Sequence, residues 1–162
     1  MDALFSPPVG SWQTVSPRLA TLRRLLLIVP IVVVAIVAGA LLALLVDWWL
    51  SLVVLALALV LAGWAWTWAR RNQRAWGYAE NDDDLLVTSG VMFKRLVAIP
   101  YGRMQFVDVT AGPLARAFGV ATVTLHTASA ETAADIPGLP AAEATRLRNR
   151  LTELGEAHGA GL

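Results

Sequence analysis

Two apolar blocks decide the fold of this chain: LLLIVPIVVVAIVAGALLALLV (residues 25–46) and LSLVVLALALVLAGWAWTWA (residues 50–69), joined by DWW (residues 47–49). Each block has the length of about 20 residues that a helix needs to cross a hydrocarbon core of ~30 Å. Two buried helices of a soluble domain are the alternative, but a helix in a small domain is rarely apolar on every face. The blocks therefore predict a two-helix transmembrane hairpin.

A cleavable signal peptide is a second alternative for the first block, because Ala38, Gly39 and Ala40 offer a small-residue cleavage site. The block is longer than the usual apolar region of about 7 to 15 residues, however, and it continues beyond that site. We therefore interpret it as a membrane span.

Small residues recur at four-residue spacing in both blocks, at Ala35, Gly39 and Ala43 in the first and at Ala58 and Ala62 in the second. This spacing lets two helix backbones approach closely. Because the connection is short, we predict that the two spans pack on each other, with a homodimer contact as the alternative.

Arginines flank the two blocks on the sides away from the connection, while the connection itself carries only Asp47. By the positive-inside rule, both termini are predicted to lie in the cytoplasm, and the protein to be a multi-pass protein of the inner (cytoplasmic) membrane. The membrane-flanking residues are Arg18, Arg23, Arg24, Arg70, Arg71 and Arg74.

The composition leaves room for one soluble domain. The chain has 162 residues, of which 57% are hydrophobic and 15% charged, and it has no cysteine, which excludes disulfides and thiolate metal sites. We predict a cytoplasmic arm at residues 1–24, a cytoplasmic domain at residues 75–156 and a tail at residues 157–162. From residue 75 onward seven basic residues face ten acidic ones, which argues against nucleic acid as a partner.

Beyond residue 75 the hydrophobic period changes to two, which is typical of antiparallel sheet. Apolar positions at Ala144, Leu147, Leu151 and Leu154 then predict a C-terminal amphipathic helix that ends at Gly155. Strands are predicted at residues 76–80, 85–88, 91–99, 104–110, 120–127 and 133–136. One helical turn or a compact loop is predicted at 114–118 and a loop at 128–132, and PGLP (137–140) is predicted to end the last strand.

Two shorter segments carry weaker signals. Residues 1–16 lack periodicity and are predicted to be irregular, while Ser16 and Pro17 suit the start of a short interfacial helix. The run NDDD (residues 81–84) lacks the glycine and the distal glutamate of a calcium loop, so we predict a solvated turn there.

Three motifs resemble the bacterial PH-like (pleckstrin-homology-like) membrane family of the YdbS type: LLVTSG (85–90), IPYGRMQ (99–105) and GPLARAFG (112–119). In that family the second motif usually has the sequence Ile-Pro-x-x-Arg-Ile-Gln and the third the sequence Gly-Pro-Leu-x-Arg-x-Phe-Gly. The resemblance covers nearly the whole chain. It implies a membrane α-helical hairpin followed by a mostly-β PH-like barrel capped by a C-terminal α-helix.

The resemblance also implies a companion membrane protein that carries several PH-like units, but it supplies no catalytic motif. We interpret the motif residues as structural. Phe118 is expected to fill the barrel, so Phe118→Ala is expected to lower the free energy of unfolding of the domain by about 3–5 kcal/mol. These residues are Pro100, Arg103, Gln105, Gly112, Pro113, Leu114, Arg116, Phe118 and Gly119.

No catalytic, metal or cofactor site is predicted. His126 lies on the polar face of a strand and His158 in the tail, so neither an acid–base pair nor a metal site is supported. The glycines fall at turns rather than in a phosphate-binding loop. We therefore expect a protein that is not an enzyme and needs no cofactor.

Two functions of different classes follow. In the first, the protein is a membrane-anchored scaffold whose barrel binds another PH-like unit, in a homo-oligomer or in the multi-unit companion. In the second, Lys94, Arg95 and Arg103 form a patch for anionic lipid headgroups. Because the acidic balance of the domain opposes attraction to an anionic membrane, we expect little effect from removing these three side chains and favour the scaffold.

Overall fold

The computed structural model describes residues 12–127 and 133–159, with side chains described as far as residue 157. Residues 20–71 form one unit, and the described residues on either side of them form the other. The predicted loop at residues 128–132, the arm before residue 12 and the side chain of His158 lie outside the described residues.

The first unit contains most of α1 (Arg18–Leu45) and of α2 (Trp48–Arg74), and both helices are long and apolar enough to cross a membrane. The amide of Asp47 in the short connection donates a hydrogen bond to the carbonyl of Leu42 at 3.0 Å. This tight turn leaves the two apolar blocks side by side.

Small side chains of both helices meet along their interface. Ala35 and Gly39 of α1 and Ala58 and Ala62 of α2 line a common cleft, and the Ser51 hydroxyl donates a hydrogen bond to the Gly39 carbonyl at 2.9 Å. These contacts support the predicted packing of the two spans on each other.

The start of α1 follows the predicted capping pattern, because the Ser16 hydroxyl accepts a hydrogen bond from the Arg18 amide at 3.3 Å. The helix then continues unbroken to Leu45. A separate interfacial helix is therefore not formed.

The second unit contains seven strands in two antiparallel sheets. One sheet has the order β1-β2-β3-β4, formed by β1 (Gln13–Thr14), β2 (Gly77–Glu80), β3 (Asp84–Ser89) and β4 (Arg95–Pro100). The other has the order β5-β6-β7, formed by β5 (Met104–Thr110), β6 (Val120–Thr127) and β7 (Ala134–Pro140). A 3-10 helix (Tyr101–Arg103) joins β4 to β5, α3 (Pro113–Ala117) precedes β6, and α4 (Ala141–Gly159) follows β7.

The short strand β1 lies in the arm that was predicted to be irregular. Gln13 pairs with Tyr78 and Thr14 with Gly77 of β2, so both helices are inserted, along the chain, between two paired strands. Two residues carry too little periodicity to be recognised as a strand, and their partner lies more than sixty residues further along the sequence.

The core of the second unit contains apolar residues of both sheets and of α4. Alternate residues of β6 and the stripe on α4 are buried as the sequence predicts. The predicted mostly-β barrel with a C-terminal helix is thereby confirmed. The buried residues of these two elements are Val120, Ala121, Val123, Leu125, Ala144, Leu147 and Leu151, while Leu154 of the predicted stripe is partly buried.

Three predicted boundaries are wrong. The strand predicted from residue 91 begins only at Arg95, because a longer loop separates β3 from β4. β7 continues through the predicted stop, since a prolyl residue is tolerated on a strand that has no described neighbour on its outer side. α4 runs past Gly155 to Gly159, because one glycine weakens a helix without ending it.

Phe118 does not fill the barrel. The side chain is only partly buried and is not part of the described core cluster, because the residue forms the C-terminal cap of the short helix α3. The cost of 3–5 kcal/mol expected for a core aromatic residue therefore does not apply to it.

Candidate functional site

The motif at residues 99–105 forms the corner between the two sheets. Tyr101 within it is fully buried, and its hydroxyl donates a hydrogen bond to the Asn81 carbonyl at 2.8 Å. Burial, together with the nearby carboxylates of Glu80 and Asp84, raises the pKa of Tyr101 to about 12. This tyrosine anchors the corner, and sequence reasoning missed it because the family pattern leaves its position open.

The motif at residues 112–119 builds the turn that leads into β6. Pro113 opens α3, the Phe118 amide donates to the Leu114 carbonyl at 3.0 Å, and Gly119 then adopts a φ of +66° that favours glycine. Arg116 is exposed. The motif therefore shapes the backbone of this turn.

A polar network joins α4 to β2. The Tyr78 hydroxyl donates to Glu143 Oε1 at 2.8 Å, and Arg146 Nη2 lies 2.6 Å from a carboxylate oxygen of each of Glu143 and Glu80. The Arg146 hydrogen bonds lower the pKa of Glu143, whereas burial and the bond to Glu143 raise the pKa of Tyr78. Because these side chains are paired with one another, the network holds α4 on β2.

The three cations proposed as a lipid patch do not form one cluster. Lys94 and Arg95 lie at the beginning of β4, whereas Arg103 follows its end. A strand of six residues spans roughly 17–20 Å, so the strand β4 separates the two positions.

The membrane-flanking arginines lie in the first two turns of α1 and in the last turns of α2. The guanidinium of Arg24 lies over the ring of Trp66, 4.0 Å from its centroid. Such a cation–π contact suits an arginine beside an aromatic residue at a membrane boundary.

A groove lies between β5 and α4, with a volume of about 200 Å³. Met104 and Phe106 form part of its strand side, and Leu151 and Thr152 part of its helix side. Gly155 adds no side chain, which leaves room there. We call this feature the β5–α4 groove.

Phe106 forms the most exposed apolar part of the β5–α4 groove. Its side chain is 57% exposed, and its ring stacks on His126 of the neighbouring strand with 4.1 Å between ring centroids. The imidazole is therefore packed in an aromatic pair rather than directed at another titratable group. Among the residues described, no group of three His, Asp or Glu side chains is placed to hold a metal ion.

The edge of β5 differs from the other three sheet edges. Of those, β1 has only two residues, β4 begins with arginine and ends with proline, and β7 contains two prolines and a register shift opposite β6. β5 has seven residues, no proline and the single charged residue Asp108, and β6 is its only partner among the described strands. β5 also has a register shift opposite β6, between Met104 and Phe106, but residues 106–110 beyond it contain no proline and no basic residue. This part of the edge can therefore accept a further partner.

Comparisons with known proteins agree with this architecture. The sequence model of the bacterial PH domain family matches residues 19–155. The chain is also 34% identical over 83 residues to the transmembrane protein YdbS of Bacillus subtilis (strain 168), an alignment that covers 51% of each chain. The aligned part thus spans about half the length of that relative, and no solved structure matches the chain. Because the family model covers most of its length, the chain belongs to the bacterial PH domain family.

Proposed function

We propose that this protein is a membrane-anchored interaction module whose PH-like domain, at the cytoplasmic face, binds another PH-like unit. The unit belongs either to a second copy of the chain or to a companion membrane protein with several such units. The observation that carries the proposal is the open edge of β5 beside the β5–α4 groove.

An extended segment of a partner would add to β5 as a further strand. Main-chain hydrogen bonds along the edge supply affinity in this mode, and pockets for alternate side chains supply specificity. Phe106 and the small side chain of Thr152 line such a pocket between strand and helix. The membrane helices raise the effective concentration of a partner in the same bilayer, so a weak contact suffices.

The proposal includes no catalytic step. The polar network on α4 is fully paired, and His126 is packed against Phe106. Neither group is placed as a nucleophile beside a base.

Filling the β5–α4 groove with Thr152→Trp is expected to lower the capture of partner units by at least about tenfold, because the indole occupies the space that the added strand needs. Two differently tagged copies of the full chain are co-expressed, crosslinked in native membranes and purified through one tag. The captured species are then identified by mass spectrometry.

Thr145→Trp is the matched control. Thr145 is also exposed on α4, and its hydroxyl bonds the carbonyl four residues earlier, as that of Thr152 does, but Thr145 does not line the groove. Equal capture by the two variants would contradict a partner site at this groove. Capture of the chain alone, without any second PH-like unit, would contradict the scaffold itself.

Both termini are proposed to lie in the cytoplasm, since six arginines flank the spans while the connection carries only Asp47. A reporter that is active only in the cytoplasm, fused after residue 162, is expected to be active. A reporter that is active only in the periplasm is expected to be silent at the same position and active when inserted after Asp47. The reverse pattern would overturn this topology.

A further inference from the structure

The loop between β3 and β4 exposes two adjacent large apolar side chains. Met92 and Phe93 are each 85% exposed, and no other large apolar side chain among the described residues is more exposed. We call residues 90–95 the tip loop. Neither side chain contributes to the core of the domain.

The backbone of the tip loop has a defined conformation. Gly90 has a φ of +98°, and a Cβ atom at this position would lie 1.9 Å from the carbonyl oxygen of Phe93. Only glycine fits such a turn. The two apolar side chains are therefore presented by a tight backbone turn.

The charge around the tip loop is opposite to that of the domain as a whole. Lys94 and Arg95 follow the apolar pair and are exposed, and residues 85–107 contain no acidic residue. The acidic run of residues 81–84 lies at the other end of β3. The sheet thus has a basic, apolar end and an acidic end.

Strand register shows which end of the sheet is joined to the helices. Thr14, which leads towards α1, pairs with Gly77, which follows α2, and Gly77 pairs with Thr88 at the base of the tip loop. Both chain connections to the candidate spans therefore leave the sheet at the end that carries the tip loop. Short covalent connections thus tether that end of the sheet, rather than the acidic end, to the candidate spans.

We propose that the tip loop inserts into the surface of an anionic bilayer. Met92 and Phe93 enter the boundary between headgroups and acyl chains, while Lys94 and Arg95 contact the anionic headgroups. Arg103, at the other end of β4, takes no part. This contact is independent of the β5–α4 groove, so either proposal can fail without the other.

The absence of cysteine allows a direct test on the full chain, because one introduced thiol is labelled alone. In the variant Met92→Cys, an environment-sensitive fluorophore is attached to the introduced thiol. The labelled protein is then reconstituted in nanodiscs of phosphatidylcholine with phosphatidylglycerol. Lipids with a nitroxide near the headgroup are expected to quench this label at least about threefold more strongly than the same label at Asp82→Cys, in the turn at the acidic end of the sheet. Equal quenching at the two positions would overturn the proposal.

Two further measurements separate the lipid from other occupants. The acidic balance of the whole domain predicted little effect from removing Lys94 and Arg95, but the tip loop itself contains no acidic residue. Adding Lys94→Gln and Arg95→Gln is therefore expected to reduce the quenching in discs that contain phosphatidylglycerol, and unchanged quenching there would refute the headgroup contact. A label at residue 92 that is shielded from both the lipid-borne and a water-soluble quencher would show that a protein covers the tip loop instead.

Discussion

Replacing Leu147 with alanine is expected to lower the free energy of unfolding of the PH-like domain by about 2–5 kcal/mol. Leu147 is fully buried, and it lies in the core cluster together with residues of both sheets. Truncation removes apolar contacts to the sheets and leaves a cavity that rigid strands cannot close. A loss of this size is a large fraction of the stability of a small domain.

Native-state amide hydrogen exchange of the full chain in detergent measures this loss, because the amides of β6 exchange through opening of the core. Their exchange is expected to accelerate by at least about 30-fold in the variant. Phe118→Ala serves as the control, since that ring is only partly buried and its loss leaves a smaller cavity. Equal acceleration in the two variants would mean that α4 does not support the core as described.

Hydrophobic periodicity predicted the helices and strands that bury one face in the core and expose the other to solvent. β6 and α4 each present one apolar face to the core, so alternation and three- and four-residue spacing predicted most of their buried residues and the limits of β6. The end of α4 was not predicted, because the helix continues past Gly155 to Gly159. The two membrane helices were equally clear, because continuous apolar length is the signal for a span. These elements depend mainly on local sequence.

The features on which the proposed binding depends are formed by contacts between distant segments. Nothing in the sequence of β5 shows that it lies at an edge or that α4 leaves a groove beside it. The exposure of Phe93 was missed because alternation assigned it to a strand face, whereas Gly90 turns the backbone before β4 begins. The three cations were close in sequence, but the length of β4 separates them.

The stretch PGLP was predicted as a stop because Pro and Gly usually end regular structure. Instead Leu139 and Pro140 pair with Ala121 and Val120, and the strand accommodates Gly138 with a φ of +75°. The carbonyl of Gly138 accepts a hydrogen bond from the Ser16 amide at 2.9 Å. Gly138 therefore holds the segment before α1 against the strand that precedes α4.

Gly138→Ala is accordingly expected to destabilise the domain by about 2–5 kcal/mol, because it combines a strained backbone with an overlap. A Cβ atom at this position would lie 2.6 Å from the Cβ of Leu19, which is buried in the core cluster. Gly112→Ala is the matched control: its φ of −66° suits any residue, and no atom lies within 4 Å of an added Cβ. Gly112→Ala is expected to lower the free energy of unfolding by less than about 1 kcal/mol, because alanine is only a weaker helix cap.

Exchange of the β7 amides in the full chain compares the two alanine variants, and a double-mutant cycle with Leu19→Ala identifies the source of the strain. If the overlap with Leu19 contributes, shortening that side chain relieves part of the cost, so the double variant loses less than the sum of the single variants. The remaining cost then belongs to the positive φ and to the overlap with the Cβ of Leu19, which alanine retains. Additive losses would contradict a packed contact between Gly138 and Leu19, and with it the role of this glycine in holding the start of α1 on the sheet.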